Sequence, residues 1–76
     1  MKDAQLFYFD HDDILHLVFA EGEEADSVAL SPTITAELNA QGEVIGIEVL
    51  HARAFVRETL LALAHTQQLK LSPAGQ

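Results

Sequence analysis

The densest run of potential ligands in this chain is Asp10-His11-Asp12-Asp13. Hard cations bind several oxygens gathered on a turn, and this is an acidic turn. The run lacks the central Gly and the distant bidentate Glu of a calcium loop. It reads first as a solvated hairpin turn, with Asp10, His11, Asp12 and Asp13 kept as candidate metal ligands. The histidines are His11, His16, His51 and His65, and no two have the i, i+4 spacing of a helical zinc motif. His16 and His51 could approach across a sheet, but a ligand set would also need a placed carboxylate. The plainer reading is isolated surface or interface imidazoles. If His16 lies in an interface, its protonation is expected to weaken association.

Nucleophilic chemistry has no candidate. Cys is 0, and Ser27, Ser31 and Ser72 sit in no elbow or triad context. Carboxylates such as Glu21, Glu23 and Glu24 form a solvated loop, whereas acid–base work needs burial to shift a pKa. No phosphate-cradling Gly-rich loop is present. The expectation is a protein that is not an enzyme and holds no cofactor.

The elements that must position these residues follow from hydrophobic periodicity. Leu6 to Phe9 and Ile14 to Phe19 are strand-like on either side of the acidic turn, which makes a β-hairpin. Leu15, Leu17 and Phe19 share one face, and Ile14, His16 and Val18 the other. A charged loop leads to a short third strand, Ser27 to Leu30, before Ser31-Pro32 breaks the pattern. Ile34, Ala36 and Leu38 alternate with Thr35 and Glu37 as a fourth strand. Asn39 to Glu43 is a turn in which Gly42 suits a positive φ, and Val44 to Leu50 is the fifth strand. From Ala52 to Thr66 the period becomes helical, with Phe55, Val56, Leu60 and Leu63 on one stripe.

The expected fold is α+β: an antiparallel β-meander of about five strands packed on one C-terminal helix. All 76 residues form one domain, with the sheet over 5–50, the helix over 52–66 and a frayed tail over 67–76.

A chain of this length builds a marginal core, and without Cys it has no disulfide to reinforce it. The hydrophobic fraction of 49% is high for so small a domain, which points to a homodimer. The net charge is −8, and no Lys or Arg occurs between Lys2 and Arg53. Direct nucleic-acid binding is disfavoured, because it depends on basic side chains releasing counterions. Anionic membrane surfaces are disfavoured for the same reason, and no apolar run reaches spanning length. A basic protein partner and a cytoplasmic location are expected.

Two details need an outside surface. The second sheet face would carry Ile14, His16, Val18, Val44, Gly46 and Leu50, and Gly46 sits mid-strand where Gly weakens a sheet. Either this face is a dimer surface or a bulge lies at Gly46. Those residues, with Leu61 off the helix stripe, are the interface candidates. Arg53 and Arg57 lie where the helix dipole disfavours cations, so Glu48 or a neighbouring subunit's sheet is expected to compensate.

The segment Tyr8-Phe9-Asp10-His11-Asp12-Asp13-Ile14-Leu15-His16-Leu17 resembles the opening of domain-of-unknown-function family 2283, small uncharacterised bacterial proteins. The likeness continues through Leu30-Ser31-Pro32 and Gly42-Glu43-Val44-Ile45-Gly46-Ile47-Glu48-Val49, covering about residues 6 to 54. His11 departs from a turn position that is often acidic there, and the helix is longer than many members carry. The resemblance implies the same sheet-plus-helix domain and no activity. Some members resemble the smaller, antitoxin-like partner of two-protein modules. The functional expectation is a homodimeric interaction module, with an antitoxin-like partnership with a basic protein as its sharper form. The alternative is a small-ligand or divalent-metal-binding domain built on the Asp10–Asp13 turn.

Overall fold

A computed structural model describes residues 4–72. Five strands, β1 (Gln5–Phe9), β2 (Ile14–Val18), β3 (Asp26–Ala29), β4 (Ile34–Leu38) and β5 (Val44–Leu50), precede one helix, α1 (Ala52–Thr66). All ladders are antiparallel, in the order β1-β2-β5-β4-β3. The α+β class is the expected one, but the chain is not one continuous meander. β5 docks between β2 and β4, so residues 19–25 must cross three strand spacings, roughly 14 Å, to start β3. The reason is visible in composition. β5 reads VIGIEVL and gains most from two neighbours, while the short, polar DSVA of β3 is suited to an edge. The crossing is tied down where the Phe19 and Ala20 amides both donate to the Ile45 carbonyl, at 2.8 and 3.3 Å.

The turns follow from their side chains. Asn39 Oδ1 accepts from the Gln41 and Glu43 amides at 3.0 and 2.9 Å, while Gly42 takes φ 79°. Ser31 Oγ accepts from the Thr33 and Ile34 amides and turns the chain into β4.

One face of the sheet, here the inner face, carries Leu6, Tyr8, Leu15, Leu17, Ile47, Val49, Ile34, Ala36 and Val28, as the cross-strand registers require. The helix does not cover it. Strands pack densely on strands, but none packs comparably on α1. Within α1 only Ala52 is buried, while Leu60 and Leu63 are 60% and 59% exposed. The expectation of a sheet closed by its own helix is therefore corrected. Among the described residues the buried hydrophobic core consists of Ala36, Ile45, Val49 and Ala52. The radius of gyration is 15.4 Å, against roughly 11 Å for a compact domain of this length.

Candidate functional site

The acidic turn does mechanical work at the corner where α1 leaves the sheet. Asp13 closes the β1–β2 turn in the left-handed region, at φ 57°, and His51 makes the β5–α1 joint in the same region, at φ 53°. Such backbone is costly for non-glycine residues, although Asp and His tolerate it better than most. His51 supplies no side-chain cap to the helix. Asp13 supplies it instead from far along the chain. Its carbonyl accepts from the Ala52 amide at 3.0 Å and its Oδ1 from the Arg53 amide at 3.1 Å. Two otherwise orphaned helix-start donors are satisfied this way.

The side chains complete the corner. The Tyr8 hydroxyl donates to Asp13 Oδ1 at 2.9 Å and accepts from Arg53 Nε at 2.9 Å. Arg53 Nε also lies 3.8 Å from Asp13 Oδ1. The hydrogen bond and electrostatic attraction of Tyr8, followed by the Asp13 charge, raise the Arg53 guanidinium above its ordinary pKa. The charge that compensates Arg53 is thus Asp13, not the expected Glu48. Arg57 lies 3.7 Å from Glu58 in an exposed pair.

As for the metal candidates, Asp10, His11 and Asp12 are exposed and Asp13 is committed to the corner. Among the described residues, no three His, Asp or Glu side chains form a group that could hold a metal.

The opposite sheet face has its own polar pair. His16 Nε2 donates to Glu37 Oε1 at 2.8 Å, from β2 to β4 across the intervening β5. Gly46 is the reason they can meet. A Cβ there would stand against Glu37 Oε1, and would lie 3.1 Å from the Leu17 carbonyl and 3.4 Å from His16 Nε2. A register shift at Glu37/Leu38 lies beside it. Of the two expectations for Gly46, the bulge has a counterpart in this register shift, and the closely approaching side chains add a second in-chain reason for glycine. Of the other interface candidates, Ile14 and Val18 are half-buried, while Val44, Leu50 and Leu61 are exposed. His16 turns to a carboxylate of its own chain.

One apolar surface expected to lie under the helix is left open. Leu6, Leu15, Leu17, Ile34, Ile47, Val49 and Phe55 line an open, wholly apolar concavity of about 400 Å³. Phe55, at the end of the first helical turn, projects into it. Beyond that turn Val56, Leu60, Leu61 and Leu63 are exposed. The sequence showed this face as apolar, but not that it would stay open. Among the described residues, no helix is long and apolar enough to cross a membrane.

No curated protein and no solved structure matches the chain. A family model does match, over residues 5–53, a span that holds the whole sheet and all three corner residues, Tyr8, Asp13 and Arg53, but little of α1. On that match the chain belongs to the protein family of unknown function DUF2283.

Proposed function

We propose that this chain is a protein-interaction module that acts as a homodimer and binds rather than catalyses. The observation that carries this reading is the open inner face, a concavity lined only by apolar side chains beside a helix that leaves it bare. Exposed apolar patches of this kind mark association surfaces. Among the described residues, a core of four buried hydrophobic side chains is also small for a stable domain of this length. Asp10, Asp12, Glu21, Glu23 and Glu24 are exposed on loops away from the strands, and would remain available to a basic partner protein after dimerisation. This supports the antitoxin-like form of the reading as its second layer.

Sedimentation velocity over a micromolar dilution series tests the first layer. A concentration-dependent monomer–dimer equilibrium, or a dimer throughout, is the expected result. A folded monomer at every concentration would overturn it.

A further inference from the structure

We propose that the dimer forms by reciprocal helix exchange, with α1 of each copy lying on the inner sheet face of the other. The proposal rests on the self-association reading above and names its geometry.

The first argument is that the chain's own helix is held off its own face. Asp13 fixes the first two helical amides, Tyr8 and Asp13 hold Arg53, and His51 sets the exit direction. With its start fixed at the acidic turn, α1 inserts Phe55 and then leaves Val56, Leu60 and Leu63 uncovered. Each copy therefore has an apolar sheet without a helix and an apolar helix without a sheet. A second copy provides the two missing halves in equal number, and a twofold axis closes the assembly.

The dimensions fit. A 15-residue helix is about 22 Å long, and five strands span roughly 19 Å between their outer axes.

Charge favours the same pairing. From Ala4 to Leu50 the sheet region has acids and no Lys or Arg, while α1 and the residues after it carry Arg57 and Lys70 against Glu58. Helix on sheet sets the acidic region against one with no excess of acids. A dimer built sheet on sheet would bring acidic rims together instead, which raises the cost of association.

Cysteine substitution can test this directly, because the chain has no Cys of its own. Leu60→Cys marks the helix. Val28→Cys marks the inner face on β3, and Ala29→Cys marks the opposite face one residue along. Separately tagged single variants are mixed, allowed to exchange, and treated with a short bismaleimide. The sedimentation of each variant and its circular dichroism are recorded alongside. The expected result is a covalent mixed dimer of Leu60→Cys with Val28→Cys, several-fold more abundant than with Ala29→Cys. Folded dimers that give no such preference would overturn helix exchange while leaving self-association standing. Predominant linkage of Leu60→Cys to itself would assign the dimer to helix–helix packing, and would likewise overturn the exchange. Folded monomers would overturn both readings.

Discussion

The corner formed by Tyr8, Asp13 and Arg53 and the inner face formed by Leu15, Leu17, Ile47 and Val49 are neighbours held to different standards. At the corner each polar group named above has a partner: two helix-start amides, a hydroxyl, a carboxylate and a guanidinium bond to one another. At the inner face the apolar groups lack a cover, and the nearest helix passes by with Leu60 and Leu63 exposed. Directional bonds can be completed within one short chain because they need only a few well-placed atoms. Hydrophobic burial needs area, which a domain of this size does not have in excess. The polar half of the molecule is thus finished within one copy, and the apolar half is left open.

The sharpest break in this contrast is a charge on the open face. Ile47→Asp is expected to abolish self-association, a loss of at least 100-fold or about 3 kcal/mol, because the carboxylate would be buried without a partner. Dilution-series sedimentation reads this, with circular dichroism confirming the fold. Leu60→Glu on the helix should act in the same direction without altering the sheet. If both variants dimerise as the parent does, the open face is not the interface.

The corner should respond in stability. Asp13→Ala removes a helix cap and leaves alanine in left-handed backbone, for a loss of about 2 kcal/mol in urea unfolding. Asp13→Asn retains Oδ1 and tolerates the same backbone, so it should lose less than half as much. Equal losses for the two variants would mean that capping is not what Asp13 contributes.

Gly46→Ala is expected to cost about 1 kcal/mol, because the new methyl forces the Glu37 carboxylate away from His16. In a Glu37→Ala background the same change should cost measurably less, as coupled neighbours do. Additive losses would show that the Leu17 carbonyl, rather than the His16–Glu37 pair, sets the need for glycine.

Tyr8→Phe is the smallest change, about 0.5–1 kcal/mol, since the hydroxyl links two partial exposures rather than a core. The raised pKa of Arg53 works the same way at any ordinary pH. A cation favoured in the folded state stabilises it fully below its unfolded pKa, and loses that contribution only as pH rises through the folded value. The Arg53 contribution to corner stability is therefore expected to be flat in urea unfolding from weakly acidic to weakly basic conditions.

The strands, the turns and the helix were legible because each follows from local pattern. Ile34, Ala36 and Leu38 alternate, Asn39 and Gly42 define a turn, and Phe55, Leu60 and Leu63 mark a helical stripe. That Arg53 needed an acidic partner was legible too, from the helix dipole alone. Its identity was not, because Asp13 and Arg53 are brought together only when β2 pairs with β5. The same pairing decided the strand order, since hydrophobic alternation specifies which face a residue takes but not which strand lies beside it.

By itself, then, the sequence determined local conformation, the sign of the charge and the existence of two apolar faces. The tertiary structure decided that the helix leaves the inner one largely open. It made Asp13, the last residue of the acidic run, the anchor of a helix, and it gave Gly46 to a His16–Glu37 pair. The physical reason is common to all three. Contacts between residues far apart in sequence depend on register and on the direction in which a helix leaves its strand, and in this chain one carboxylate 40 residues away directs that exit.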